Sequence, residues 1–345
     1  MSFRKSVWAL GLVFSTTSWL IGQSVRADTL GQSQSFFIDA QYDQLGRQSI
    51  TASLRSISQR AYGYVEDNYW NNSNETTRAQ LVQQVTNLLQ EFDDKIYPTE
   101  TQFFGADPIP GIDGDSRITI FFTPLVDNAG GYFNTSNLYP KTADNPSSNE
   151  RELFYLNVRA LNDYRKIKSF LAHEFQHLIA FNQKEKLRAV ADDVWLNELR
   201  SEFAVSLLGY NDSFGGSNLE RRAQYFLINP SDSLTEWKNL NSDYAQITLF
   251  GEYLSEHWPR TVISASLQSN LIGIPSLNEA LTQSGASESF IDIFQNWLVA
   301  NILNDSSVDP KYGYNRAGLA NFRVVPNKTF VNIADDIPVV YSETI

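Results

Sequence analysis

The amino-acid sequence predicts an α+β fold on three observations. Short apolar or alternating segments in the first half of the chain are typical of strands. The same half contains one long stretch whose apolar residues recur at helical spacing. The chain of 345 residues is also longer than one compact core usually occupies, which favours two lobes over a single small module.

Four segments of the N-terminal half are predicted to be strands. Residues 50–54 alternate apolar and polar side chains, and residues 62–65 begin in the same way, which is typical of two half-buried strands. Residues 118–122 form a short apolar run, and residues 152–158 form a second one. Together with a helix between them, these strands define an α+β lobe.

A helix is predicted from about Thr77. Its apolar residues recur at intervals of three and four: Leu81, Val82, Val85, Leu88, Leu89, Phe92 and Ile96. Pro98 follows, and because proline lacks a backbone N–H and clashes with the preceding turn, we expect the helix to stop there.

The first 27 residues have the pattern of a secretory signal peptide. Arg4 and Lys5 precede an apolar run over residues 7–21, and residues 25–27 offer a cleavage site after Ala27. A membrane anchor is the alternative, but the run is short and is interrupted by polar residues 15–18. The pattern therefore predicts export, either to a bacterial envelope compartment such as the periplasm or out of the cell.

Charge and cysteine content restrict the partners. Removal of residues 1–27 leaves 24 basic and 39 acidic residues, a net charge of −15. Such a surface repels nucleic acid and anionic lipid, so neither nucleic acid nor a membrane is expected as a partner of the cleaved chain. The sequence has no cysteine, so an exported fold must be stabilised without disulfides.

The segment over residues 169–181 combines two histidines and a glutamate on one predicted helix. His173 and His177 are four residues apart, so both imidazoles project from one face and can bind the same metal ion. Glu174 lies beside the first of them, where its carboxylate can act on water without coordinating the metal. The alternative is a pair of hydrogen-bonded core histidines, which also occur on buried helices.

A second predicted helix supplies a third metal ligand. It follows Asp192 and Asp193, a plausible N-cap, and it carries Glu198. Catalytic zinc takes three protein ligands and keeps one open position, and a carboxylate completes a site with two histidines. Glu202 and Asn197 can bond to the outer nitrogens of the two histidines. The alternative, a solvated acidic face, is less consistent with the apolar residues of this helix.

These residues carry a resemblance to a known family. The sequences His-Glu-Phe-Gln-His (173–177) and Asn-Glu-Leu-Arg-Ser-Glu (197–202) resemble the gluzincin clan of zinc metallopeptidases, with a thermolysin-like zinc site. The wider context is similar to the hyicolysin family of that clan, over about residues 50–305. The looser shared segments are residues 92–98, 113–115, 130–133, 195–198, 243–254 and 294–301.

The resemblance implies a zincin fold, with a mixed sheet over the active-site helix and a mainly helical C-terminal lobe. The implied lobes are residues 28–182 and 183–305, with residues 306–345 as an extension of unknown role. The implied reaction is peptide-bond hydrolysis, with Glu174 as the general base for a zinc ion. Two departures stand out: the gap of 20 residues before Glu198, and Leu199 at a position where these families have a small residue.

The resemblance also implies a substrate-binding edge strand and an oxyanion donor. Gly131 and Tyr132 are the candidates for pairing with a peptide, although an ordinary turn before a strand fits equally well. Tyr244, at the start of a C-terminal helical stretch, is the candidate donor, with simple aromatic packing as the alternative. His257 fits a cation near a helix C-terminus better than a catalytic group.

Two other functions remain open in the sequence. A peptidase fold without turnover can serve as a surface binding protein, although such a chain is expected to have lost Glu174 or a ligand. The aspartates Asp107, Asp113 and Asp115 suggest Ca²⁺, but their spacing does not match the EF-hand loop, and a solvated turn fits better. The sequence also leaves open an inhibitory pro-segment over residues 28–48.

Overall fold

The computed structural model describes residues 27–325, and within them six strands form one mixed sheet. The strands are β1 (Ser33–Phe37), β2 (Ser49–Ile57), β3 (Ala61–Glu66), β4 (Ile118–Thr123), β5 (Gly131–Phe133) and β6 (Leu153–Asn157). Their order in the sheet is β1-β2-β3-β4-β6-β5. The predicted signal peptide, residues 1–27, lies outside the described residues except for Ala27, so it stays a prediction.

Ten α-helices accompany the sheet in the described part of the chain. They are α1 (Asp67–Asn71), α2 (Glu75–Glu91), α3 (Tyr97–Phe104), α4 (Tyr164–Ala180), α5 (Val194–Leu207), α6 (Asn218–Ile228), α7 (Asn241–His257), α8 (Thr261–Gln268), α9 (Gly273–Gln283) and α10 (Phe290–Leu303). Among residues 27–325, no helix has both the length and the apolar character needed to cross a bilayer. The α+β class is therefore confirmed: all six strands end by Asn157, and seven of these ten helices, α4 to α10, follow them.

The sheet is parallel at its centre and antiparallel at both edges. β3, β4 and β6 run parallel, while β1 and β2 are antiparallel neighbours on one side. On the other side β5 is antiparallel to β6, with Tyr132 opposite Tyr155. Among the described strands, β5 is thus an edge strand with a single neighbour.

The burial of the strands departs from the sequence prediction in one place. β2 is half-buried, as the alternation of its residues predicts, but β3 is buried along its whole length. One face of β3 packs under α2, where a side chain on Gly63 would collide with Val85. Its other face contributes Tyr62 and Tyr64 to a separate aromatic cluster. The prediction of a half-buried strand over residues 62–65 is therefore wrong, because both faces of the sheet are covered.

The predicted N-terminal helix continues beyond its expected end. α2 begins at Glu75, capped by Asn74, whose side chain accepts the backbone N–H of Thr77. A π-helical turn over Phe92–Ile96 then leads directly into α3, which ends at Phe104. Pro98 lies in the first turn of α3, so the prediction that it stops the helix is wrong. A proline is tolerated there because an N–H at the start of a new helix needs no partner within that helix.

One continuous apolar core joins the sheet to the C-terminal helices. It contains Phe154 of β6, Phe175 of α4, Leu196 of α5 and Phe250 of α7, all of them fully buried. Both of the predicted lobes thus contribute to the same core. The lobe boundaries themselves stay a prediction.

The segments at both ends of the described chain belong to the packed structure. Asp28 forms an ion pair with Arg151, and β1 pairs with β2 in regular register. At the other end, Tyr314 is buried and accepts a hydrogen bond from the Trp297 indole. Residues 306–325 of the predicted extension therefore pack against α10 rather than extending away from it.

Candidate metal centre

Helix α4 presents the two histidines of the motif on one side. Asp163 caps the helix by accepting the backbone N–H of Lys166. Most side chains of α4 are buried between the sheet and α5, which fixes the rotation of the helix about its axis. Over residues 171–180, His173 and His177 are the two partly exposed members, with 14% and 11% of their side-chain surface accessible. The helix therefore aims both imidazoles at the same open space.

Helix α5 brings Glu198 to the same space. Asp193 occupies the N-cap position without a side-chain bond to the helix, while Asp192 pairs with Arg200. The Nε2 atoms of His173 and His177 lie 3.2 Å apart. Glu198 places Oε2 3.2 Å from the first of these nitrogens and Oε1 3.6 Å from the second.

The spacing of these donor atoms suits a tetrahedral zinc ion. Ligand atoms about 2.0–2.1 Å from a tetrahedral metal lie about 3.3 Å from one another, close to the separations observed here. Glu198 Oε2 is buried and accepts no hydrogen bond from any described residue, so it has a lone pair available for a metal. His173, His177 and Glu198 are also the sole group of metal-ligand side chains that gathers in this way within residues 27–325.

The charges of the site are coupled. Burial raises the pKa of Glu198, but the imidazoles beside it lower that pKa by more, so the carboxyl stays ionised. Burial lowers the pKa of His173, but the Glu198 carboxylate and its acidic neighbours raise it to about 9. The binding of a cation to this group must therefore displace a proton from the histidine.

Each ligand histidine has a partner at its outer nitrogen. Ser201 lies 3.2 Å from Nδ1 of His177 and donates its own hydrogen to Gln176, so its oxygen accepts the imidazole N–H. On the other histidine, Nδ1 lies 3.7 Å from Glu202 Oε1. Both arrangements favour the tautomer that leaves the Nε2 lone pair free for a metal.

The two predicted partners thus differ in their placement. Glu202 lies 3.7 Å from His173, whereas Asn197 does not reach His177 and its buried Oδ1 accepts no hydrogen bond from any described residue. Ser201 takes the place that the sequence suggested for Asn197. Sequence reasoning missed Ser201, although its position three residues after Glu198 on the same helix offered a signal.

Glu202 is itself held by residues that the sequence did not indicate. The Arg222 guanidinium of α6 lies 2.5 Å from its Oε1, and Thr248 of α7 donates a hydrogen bond to its Oε2. Burial raises the pKa of Glu202, but Arg222 and His173 lower it by more, so this carboxyl is ionised although almost fully buried. No motif or residue spacing in the sequence links Arg222 to the site.

Glu174 lies between the ligand histidines and the edge strand. Its carboxyl is buried, and burial raises its pKa. A Cβ atom at Gly131 would lie 2.9 Å from Glu174 Oε1 and 2.8 Å from the Tyr155 carbonyl, so the strand passes the carboxyl at a distance that requires glycine. Tyr132 directs its side chain to the other face of the sheet, which leaves its backbone at the edge of β5.

Tyr244 lies in the first turn of α7, beside the histidines. Its ring centroid is 6.4 Å from that of His173, and the Arg222 guanidinium lies 4.5 Å from its centre. The hydroxyl donates a hydrogen bond of 3.3 Å to exposed Asn239. Burial, followed by the Glu198 carboxylate, raises its pKa, so the hydroxyl keeps its proton through the neutral range.

Other residues singled out in the sequence lie away from this group. His257 lies in the last turn of α7, at the helix end that the sequence predicts, where its Nε2 donates to the Gly313 carbonyl and burial lowers its pKa. The three aspartates do not gather around a common point. Asp107 accepts from Tyr97, Asp113 pairs with Arg151, and Asp115 accepts from Tyr62.

Leu199, which stands where the resembled families have a small residue, packs against Gly251. A Cβ atom built on Gly251 of α7 would lie 3.4 Å from Leu199 Cγ. The helices α5 and α7 therefore pack closely with the leucine side chain set against the glycine. This pairing explains how the fold accepts Leu199 without displacing Glu198.

Comparison with known proteins relates the chain to metalloproteases. It is 31% identical over 225 residues to a protein described as neutral metalloprotease ShpI from Staphylococcus hyicus. The match covers 58% of this chain and 48% of that protein, so the chain spans about half the length of this relative. No family model matches the sequence. The similarity supports a relationship to metallopeptidases and agrees with a three-residue metal site.

Proposed function

We propose that this chain is an exported, zinc-dependent endopeptidase. The observation that carries the proposal is the convergence of His173 Nε2, His177 Nε2 and the Glu198 carboxylate at separations that suit tetrahedral zinc, with Glu174 beside them. The similarity to a neutral metalloprotease supports the same class of reaction. Export is proposed from the pattern of residues 1–27.

In the proposed reaction, the protein supplies a base, a binding edge and a hydrogen-bond donor. When bound, zinc acts as a Lewis acid on the peptide carbonyl and on water. Glu174 accepts a proton from the water whose oxygen attacks the carbonyl carbon. It then delivers that proton to the amide nitrogen as the C–N bond breaks, giving a carboxylic acid and an amine. Its pKa, which burial raises, suits a group that must first accept a proton and then release it.

The substrate is proposed to lie along β5. An extended peptide can pair with the free edge of this strand, and Gly131 brings that edge close to Glu174. Tyr244 is proposed to donate a hydrogen bond to the oxygen of the tetrahedral intermediate. Its hydroxyl keeps its proton, and its other partner, Asn239, is weakly bound and exposed.

Two variants separate metal binding from catalysis. Glu174→Gln should retain zinc, because the ligands are intact, while the rate of casein cleavage falls by about 10²- to 10⁴-fold. His173→Ala should lose both zinc and activity, since one of three ligands is removed. Zinc content by mass spectrometry beside a casein assay measures both quantities.

His257→Ala is the matched control, because this histidine lies outside the site, and it should retain zinc and activity. An active Glu174→Gln protein would exclude the proposed base. A wild-type protein that binds zinc but cleaves no peptide would instead favour the alternative, a surface binding protein on a peptidase fold.

A further inference from the structure

The loop between β1 and β2 reaches the opposite edge of the sheet. Its backbone contacts the segment before β5: Gln44 donates to the Pro124 carbonyl, and Tyr42 accepts from the Val126 N–H. The Asp39 N–H donates to the Tyr132 hydroxyl. Residues 38–48 therefore connect the far edge of the sheet to the strand beside the metal centre.

Buried charges hold this loop in place. Arg47 pairs with Asp43 at 2.6 Å and with Glu66 of β3 at 2.5 Å, and both carboxylates are almost inaccessible to solvent. Thr123 of β4 donates to the same Glu66. A loop anchored in this way is an integral part of the sheet, which argues against a detachable inhibitory pro-segment over residues 28–48.

Three stacked tyrosine rings on one face of the sheet form a row that continues beyond the edge strand β5. The rings of Tyr155 and Tyr132, from β6 and β5, are stacked with centroids 4.2 Å apart and planes within 8°. Tyr42 stacks on Tyr132 at 4.4 Å and 13°. Because one face of the Tyr132 ring is occupied by Tyr155, Tyr42 must lie on the other face. The Tyr42 ring is therefore about one strand spacing beyond β5.

The Tyr42 side chain packs against Tyr132 beside the edge strand. It forms no hydrogen bond with any residue in the described range, although the ring is partly buried. Burial raises the pKa of the Tyr42 hydroxyl, and the Glu174, Asp39 and Glu198 carboxylates raise it further, so the hydroxyl keeps its proton through the neutral range. The phenol is thus a neutral polar group without a hydrogen-bond partner among the described residues.

We propose that Tyr42 is a specificity-determining residue that limits the size of one substrate side chain. This inference rests on the proposed function, since it requires a peptide paired with β5. Side chains of an added strand alternate between the two faces, so the residue opposite Tyr132 directs its side chain toward the Tyr42 ring. Glycine or alanine fits there, whereas a large side chain collides with the ring. Since Gly131 adjoins Glu174, this position lies within about two residues of the cleaved bond.

The test uses the zinc-loaded full chain and a peptide library with every position varied around the cleaved bond. The wild-type protein should select a small residue at one position. In Tyr42→Ala, kcat/KM for peptides with phenylalanine or leucine at that position should rise at least tenfold relative to kcat/KM for peptides with alanine there. The zinc content should be unchanged. Tyr42→Phe should keep the wild-type selectivity, because the ring remains. Tyr164→Ala, a change at an exposed tyrosine at the start of α4, is the matched control and should leave selectivity unchanged.

The outcomes separate this inference from the proposed function. Cleavage by the wild-type protein without a small-residue preference overturns the assignment of Tyr42 alone. So does an Ala variant with wild-type selectivity. A wild-type protein that binds zinc and cleaves no member of the library overturns both. The assignment is supported if Tyr42→Ala relaxes the selectivity and Tyr42→Phe retains it. A merely structural role of Tyr42 would not alter the selectivity at a single substrate position.

Discussion

The ligand side of the candidate metal centre and its substrate-facing wall are built in different ways. The candidate ligands His173, His177 and Glu198 come from two neighbouring helices, most of whose other side chains are buried. The wall combines Tyr42 and Tyr244, which are two hundred residues apart in the sequence, with the edge of β5. The first region is local in sequence, whereas the second depends on long-range contacts.

The two regions also differ in how their polar atoms are bonded. On the ligand side, Ser201 and Glu202 lie beside the Nδ1 atoms of His177 and His173, and Glu202 forms an ion pair with Arg222. On the wall, the Tyr244 hydroxyl contacts only exposed Asn239 within the described residues. Changes to the ligand side should therefore lower stability and metal affinity together, whereas changes to the wall should alter turnover or selectivity alone.

The largest effect is expected at Arg222. Arg222→Met leaves Glu202 as a buried carboxylate without its ion-pair partner, which costs about 3–5 kcal/mol of unfolding free energy. The same change frees Glu202 from its fixed position beside His173, so zinc affinity should fall by about 10- to 100-fold. Urea unfolding and competition with a zinc chelator measure the two effects.

Two further variants check the cause of this loss. Arg159→Met removes an arginine that pairs with exposed Asp127 rather than with Glu202, and it should change both quantities little. Adding Glu202→Gln to Arg222→Met removes the unpaired charge and should recover part of the stability without restoring zinc affinity. If Arg222→Met is as stable as the wild type, the Arg222–Glu202 ion pair does not link stability to zinc affinity on the ligand side.

A smaller effect is expected at Leu199. Leu199→Ala removes a fully buried side chain behind Glu198 and should lower the unfolding free energy by about 2–4 kcal/mol. Adding Gly251→Ala places a methyl group in part of the vacated space and raises the helix propensity of α7, so the double variant should recover about 1 kcal/mol. Leu227→Ala, at an exposed leucine, is the control and should change stability little. An equal cost for both leucines would exclude the close packing proposed for this pair.

The sequence predicted the ligand side far better than the wall, for a geometrical reason. Helical spacing alone brings His173 and His177 to one face. Asn197 and Ser201 are four residues apart and thus share a face of α5, so which of them reaches His177 depends on the tilt between two helices. That tilt is a property of packing that residue spacing does not contain.

The fold shows the same limit. The helix prediction stopped at Pro98 because proline disfavours a helix interior, but a π-helical turn over Phe92–Ile96 leads into a new helix whose first turn accepts the proline. Residues 62–65 were predicted to be half-buried because the cover on their second face comes from distant segments. Tyr42 lies in a loop without periodicity, and only its long-range contacts with β5 reveal its position.

The smallest expected effect separates the two tyrosines of the wall. Tyr244→Phe keeps the ring that packs against Trp237 and Arg222 and removes only the hydroxyl. Because a donor to the oxyanion acts on charge that develops in the transition state, kcat should fall about tenfold, or about 1.4 kcal/mol, with KM and zinc content near wild type. The lost hydrogen bond to exposed Asn239 should cost little stability, so thermal melting should be close to that of the wild type. Tyr42→Phe is the matched control: it also removes a tyrosine hydroxyl, but the proposed role of Tyr42 depends on the ring, so its kcat should stay unchanged. A Tyr244→Phe variant that melts earlier and keeps its kcat would show that Tyr244 serves in packing, and the wall would then have no oxyanion donor at this position.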